Sequence, residues 1–130
     1  MADPQSSQAA LILAMRELDP DVLIGLRAVD EDGTFLTDLV TQFRRDADRF
    51  VVEVSAGIRD LDEARVCRAA HSLRGGSGCL GLVGLSTQCL EFEELGRSRR
   101  FESIGVKLAQ FASGAEQALE ALDAFRKGGR

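Results

Sequence analysis

From Thr34 to Ile58, apolar residues return at every third or fourth position: Leu36, Leu39, Val40, Phe43, Ala47, Phe50, Val54 and Ile58. Asp38, Arg44, Arg45, Asp46, Asp48, Arg49 and Glu53 fall mostly on the other faces. This is the α-helical period, and the run predicts one amphipathic helix of about 25 residues. A helix of that length with a single apolar stripe must bury it against other elements. Both prolines, Pro4 and Pro20, precede the run, so nothing after Pro20 is barred from being helical.

The rest of the chain offers matching partners. Ser6 or Ser7 can cap a first amphipathic stretch reaching about Leu18, with Ala10, Leu11, Ala14, Met15 and Leu18 on one side. Asp19-Pro20 reads as a helix start, with aspartate as N-cap and proline in the first turn. The short helix that follows carries Val22, Leu23 and Leu26 and stops in the charged turn Asp30-Glu31-Asp32-Gly33. Asp60 to Asp62 form the next turn, and Asp62 is placed to cap the helix after it. Beyond Gly84, Leu85, Cys89, Phe92 and Leu95 point inward, while Gln88, Glu91 and Glu94 are expected to be more exposed. Gly96 to Arg100 make a basic turn. From about Glu102 a last helix carries Ile104, Leu108, Phe111, Ala115, Leu119, Leu122 and Phe125 as its stripe. No strand pattern, repeat or interdomain linker is visible. The expected fold is all-α, an antiparallel four-helix bundle with additional short N-terminal helices. Residues 1–18 form a helical extension, 19–127 the bundle, and 128–130 a frayed tail.

Composition narrows the function. At 130 residues the chain is long enough for one core and too short for two. A net charge of −5 argues against nucleic acid or an anionic membrane as partner. The aromatics are all phenylalanine, so stacking surfaces for bases or sugars are few. Lys107 and Lys127 are the only lysines, so the basic character is carried by arginine. Cys67, Cys79 and Cys89 lie within helical patterns without a C-x-x-C, which fits small, partly buried thiols in a reducing cytoplasm. The N-terminus has no signal-peptide character, and no apolar run approaches the roughly 20 residues of a membrane span. A cytoplasmic, free-standing protein is expected.

One stretch departs from ordinary helix composition. Ala69-Ala70-His71-Ser72-Leu73-Arg74 contains the only histidine and is followed by Gly75, Gly76, Gly78 and Gly81. A helix continued through these glycines gives up roughly 1 kcal/mol at each relative to alanine, about 3–4 in all. Helical geometry supplies a reason. Val66, Ala69, Leu73, Gly76, Ser77 and Leu80 share one face, where small residues let a neighbouring helix approach. His71 lies on the opposite face, flanked by Arg68, Arg74 and Gly75, with Ala64 and Gly78 one turn further. An imidazole that another macromolecule must reach needs such a clearing.

Competing motifs fit less well. Gly76-x-Gly78-x-x-Gly81 matches a dinucleotide fingerprint by letter, but that motif needs a preceding strand and a βαβ unit. No Walker lysine follows the glycines. A di-iron bundle site needs Glu-x-x-His pairs, which one histidine cannot supply, and no metal site is expected. Glu91, Glu93 and Glu94 read as a solvated charged face.

The stretch His71-x-Leu73-Arg74-Gly75-x-Ser77-x-x-Leu80-Gly81 resembles the signature of histidine-containing phosphotransfer (HPt) domains, roughly H-x-L-K-G-S-S-x-x-L-G. Ala69-Ala70 fits the preceding positions, Leu85-x-x-x-Cys89-x-x-Phe92-Glu93 the family's next helix, and Phe35, Leu36, Leu39 and Phe43 its long preceding one. The resemblance covers roughly residues 20 to 125. Two positions differ. Arg74 stands where lysine is usual, keeping the charge and gaining bidentate phosphate geometry. Gly76 replaces a common serine on the buried face, where it bears on packing.

The resemblance implies a phosphoryl carrier with no kinase or phosphatase turnover of its own. His71 would accept a phosphoryl group at Nε2 from an aspartyl phosphate of a response-regulator receiver domain and pass it on. The receiver would bring Mg²⁺, so no cofactor is expected on this chain. Arg74 and Arg68 would offset phosphate charge. Ala64, Cys67, Gly75, Gly78 and Gln88 would belong to the docking surface, with Gln88 near the imidazole. The implied partners are receiver domains and a sensor (hybrid) histidine kinase, met by a monomer through a small, transient interface. The rival reading is a helical module that docks a receiver or kinase without accepting phosphate.

Overall fold

The structure, a computed structural model, describes residues 18–128. The expected helix ending near Leu18 lies outside the described residues. Five helices follow one another: α1 Pro20–Val29, α2 Thr34–Arg59, α3 Glu63–Cys79, α4 Val83–Arg97 and α5 Phe101–Gly128. Contacts run from α2 to α3, α3 to α4, α4 to α5 and α5 back to α2, which closes a ring of four. The chain is therefore a four-helix bundle with α1 lying against it. Among the described residues the only β-type pairing is an isolated bridge between Leu18 and Leu82.

Local chemistry sets the helix ends. Asp19 accepts a hydrogen bond from the Asp21 amide, with Pro20 in the first turn. The acidic turn after α1 caps α2: Asp32 Oδ1 accepts from the Thr34 amide, and Asp30 accepts from the Phe35 and Leu36 amides. Asp62 takes the Arg65 amide at the start of α3. These contacts satisfy donors that a helix N-terminus leaves open. The α2–α3 and α4–α5 turns use Leu61 and Arg99 at positive φ (52° and 56°). The two turns are tied together by Arg99, which pairs with Glu63 at 3.2 Å and donates to the Leu61 carbonyl.

Phe50, Phe92 and Phe111, one each from α2, α4 and α5, form the centre of the core, with ring centroids 4.6–5.8 Å apart. Around them are buried Phe43, Val54, Leu85, Cys89, Ile104, Leu119 and Leu122. Helix α3 brings no aromatic side chain. It contributes Val66, Ala70, Leu73 and Ser77 as its buried stripe. The stripe is rotated from the expected one: Ala70 is fully buried, whereas Ala69 and Gly76 are half-buried. The Ser77 hydroxyl donates to the Leu73 carbonyl at 2.8 Å, which lets a polar residue occupy the core at little cost.

The helix passes through Gly75, Gly76 and Gly78 and ends before Gly81. Gly81 adopts φ +70° and packs directly on Asp19, where a Cβ would lie 3.1 Å from the Asp19 carbonyl. The Asp19 amide donates to the Gly81 carbonyl at 2.7 Å, tying the entry of the chain to the end of α3. Close helix packing is not where the glycine run suggested. A Cβ on Gly76 would make only ordinary contact with Phe43 at 3.8 Å. The tight approaches are at Gly57 and Gly96 on the neighbouring helices. There a Cβ would come within 2.6 Å of Val66 Cγ2 and 2.9 Å of Cys67 Sγ.

Candidate functional site

His71 stands in the middle of α3 with its side chain 71 % exposed, and it is nonetheless held in place. Glu93, from the facing side of α4, brings Oε1 to 3.1 Å from His71 Nδ1. The Glu93 side chain is only 7 % exposed. A carboxylate this deep needs partners, and Arg74 provides the countercharge with Nη1 3.1 Å from Oε2. That ion pair lacks the geometry of a directed hydrogen bond, so Oε2 is left without one. The strongest directed contact open to the buried carboxylate is the one to the imidazole.

This arrangement selects a tautomer. Arg74 Nη2 also approaches His71 Nδ1, at 3.3 Å. If Nδ1 carried a lone pair, it would accept from Arg74 while pointing that lone pair at a carboxylate oxygen only 3.1 Å away. With the proton on Nδ1, the ring donates to Glu93 and the repulsion is replaced by attraction. The Nε2 lone pair is then free, on the exposed side of the ring.

The surroundings of the imidazole are open. Ala64, Arg68, Gly75 and Gly78 are exposed on α3, Arg74 and Cys67 are half-buried, and Cys67 Sγ donates to the Glu93 carbonyl at 3.5 Å. A Cβ added to Gly75 or Gly78 would meet nothing within 4 Å. Burial raises the Cys67 thiol above its ordinary range, so it is no nucleophile beside the histidine. Among the described residues no cluster of three or more His, Cys, Asp or Glu could hold a metal ion.

Two expectations on α4 need correction. Gln88 is buried rather than exposed, and it forms no hydrogen bond with the imidazole among the described residues. Glu93, read from the sequence as part of a solvated acidic face, is instead the buried partner of His71. The signal was present: Glu93 lies four residues after Cys89, at the edge of the Leu85–Cys89–Phe92 stripe, so its phase pointed toward α3. Ser86, whose hydroxyl meets the Arg74 carbonyl at 3.5 Å, and Glu93 both face α3. Leu90 and Arg97 continue that same i, i+4, i+7, i+11 row, and both are exposed. The open surface around His71 therefore extends onto α4 through an apolar and a basic residue.

Comparison with known families decides what this arrangement belongs to. The family model for the Hpt domain matches residues 38–126. The chain belongs to the Hpt domain family. The Hpt fold here is similar to solved phosphotransfer proteins. Histidine-containing phosphotransfer protein B from Pseudomonas aeruginosa superposes with a TM-score of 0.72 at 27 % identity, covering 88 % of this chain and 97 % of that one. A putative histidine-containing phosphotransfer protein from rice gives 0.72 at 19 % identity, with 97 % of each chain covered. One from maize gives 0.71 at 23 %, covering 95 % and 94 %. The two plant proteins share the fold. A comparison with curated proteins gives no match. Hpt domains act in two-component phosphorelay signalling, and within this one the single histidine sits on the signature helix. No helix among the described residues is long and apolar enough to cross a membrane.

Proposed function

We propose that this Hpt domain relays phosphoryl groups through Nε2 of His71, accepting from and returning to an aspartate of a response-regulator receiver domain. One observation carries the reading: an imidazole 71 % exposed at its reactive edge is anchored at Nδ1 by a carboxylate only 7 % exposed. Nε2 attacks phosphorus, the N–P bond forms, and the acyl P–O bond breaks to release the receiver's carboxylate. Because Nδ1 keeps its proton, the ring becomes cationic as the N–P bond forms. Glu93, 3.1 Å away, stabilises that developing charge from a fixed position. No proton need leave Nε2, so no separate general base is required.

Arg74 has two tasks in this scheme. It balances Glu93 in the resting state and lies close enough to His71 to meet phosphoryl oxygens. Arg68 and Arg97 add positive charge around the exposed imidazole, complementary to an acidic receiver pocket, and Gly75 and Gly78 keep the approach clear. Ala64, Cys67 and Leu90 complete a small contact face, whereas buried Gln88 supports α4 from within. The divalent cation and the acyl phosphate come with the receiver, and a sensor kinase stands upstream of it. The chain acts as a carrier and catalyses no independent turnover.

The test is transfer from a phosphorylated receiver to the purified protein. A base-stable, acid-labile label that disappears in His71→Gln and maps to Nε2 by phosphorus–nitrogen coupling is the expected result. Measurable receiver binding without any transfer would instead support a docking module.

A further inference from the structure

A second surface is left open where the chain enters the bundle. Ile24, Val29 and Phe35, on α1 and the first turn of α2, are 59 %, 66 % and 43 % exposed. Beside them is a groove of about 250 Å³ lined by Leu26, Phe35, Leu39, Phe43, Cys79 and Leu80. Its polar rim is already satisfied, since Gln42 donates to Asp46 at 2.9 Å. At that volume the groove is smaller than an ordinary small-molecule site and suits a few apolar side chains.

The chain itself brings such side chains to the groove's edge. Leu18 pairs with Leu82, and the Asp19 amide bonds to the Gly81 carbonyl. Residue 18 is therefore fixed beside Leu80, one wall of the groove, and α1 begins two residues later with Leu26 as another wall. The 17 residues before this anchor carry the apolar stripe Ala10, Leu11, Ala14 and Met15, in phase with Leu18. As a helix they would span about 25 Å, against about 15 Å for the ten residues of α1. A segment tethered at the groove has an effective concentration on the order of millimolar, which favours it over a second copy in dilute solution.

We propose that residues 6–17 fold back from the Asp19-Pro20 turn as an amphipathic helix and seat Leu11 and Met15 in this groove. The segment buttresses the last turns of α3, on the side away from His71.

Cys79 is exposed in the groove and serves as the reporter. In the full-length chain, Leu11→Cys, Ala14→Cys and Met15→Cys are each oxidised under mild conditions, with Cys79 present or replaced by serine, and the disulfides are mapped. The expected product is a monomer with an internal disulfide to Cys79 for at least one position, lost with Cys79→Ser. A disulfide-linked dimer through Cys79 would give the groove to a second copy and overturn the proposal. Failure of all three positions to couple to Cys79 would overturn it as well. A second readout is alkylation of Cys79, which should speed up about tenfold in Leu11→Glu/Met15→Glu as the covering segment is released. An unchanged rate would refute the contact.

Discussion

The two halves of α3 are built on opposite principles. In the first half, Val66 and Cys67 are clamped between α2 and α4, and the neighbours give up their side chains at Gly57 and Gly96 to let α3 in. In the second half the glycines belong to α3 itself, and around Gly75 and Gly78 there is empty space. Glycine in one half removes atoms so that helices can pack. In the other it removes atoms so that a partner can approach. His71 lies between the two, one turn past the clamp and one turn before the clearing.

That contrast can be broken by filling each half in turn. Gly78→Leu adds bulk where nothing in the fold objects, so helix content and thermal midpoint should hold. Phosphoryl transfer should fall about a hundredfold because the receiver can no longer seat. Normal transfer rates in stopped-flow or label-chase experiments would refute the clearing.

Glu93→Gln tests the connection between the clamp and the histidine. The amide cannot balance a cationic ring, and transfer should drop by roughly ten- to a hundredfold. Nitrogen NMR should show the imidazole losing its fixed Nδ1–H tautomer, a change that a merely structural role for Glu93 would not produce. Retention of that tautomer would remove Glu93 from the mechanism.

On the packed side, Gly57→Ala forces a Cβ to 2.6 Å from Val66 Cγ2 and should cost about 1–3 kcal/mol of stability. Transfer per folded molecule should be unchanged. Gly75→Ala should do the reverse, raising stability by about 0.5–1 kcal/mol through helix propensity. Equal and opposite-to-expected shifts in urea unfolding of these two variants would collapse the distinction between the halves.

The smallest effect lies in the core behind the clamp. Burial pushes the Cys89 thiol up to about 12 from its ordinary 9.0. A thiol raised in the folded state favours folding fully below the unfolded value and loses that contribution as pH rises from about 9 toward 12. Urea midpoints should therefore decline with alkaline pH more steeply in the native chain than in Cys89→Ala, and parallel declines would deny the thiol this role.

Much of this was legible in the order of residues. The three- and four-residue spacing of apolar side chains named the helices. Asp19-Pro20 and Asp62 announced two helix starts, and the uninterrupted phase from Val66 to Leu80 favoured helix over loop through the glycines. His71 and its exposed flank followed from the same periodicity, because phase on a single helix is a local property. Glu93 did not follow. Three glutamates in four residues look alike in sequence, and only the angle at which α4 crosses α3 turns one inward and leaves its neighbour Glu94 in water. Gln88 was misplaced for the same reason, and Gly76 was credited with packing that belongs to Gly57 and Gly96 on other helices.

By itself, then, the sequence determined the helices, their caps and the histidine with its open side, all of which depend on residues within a turn or two of one another. The tertiary structure decided what stands behind that histidine. A buried carboxylate can be placed 3.1 Å from Nδ1 only by two helices held in fixed register, and that register is set by core packing across the bundle, above all where Val66 and Cys67 meet the glycines of their neighbours.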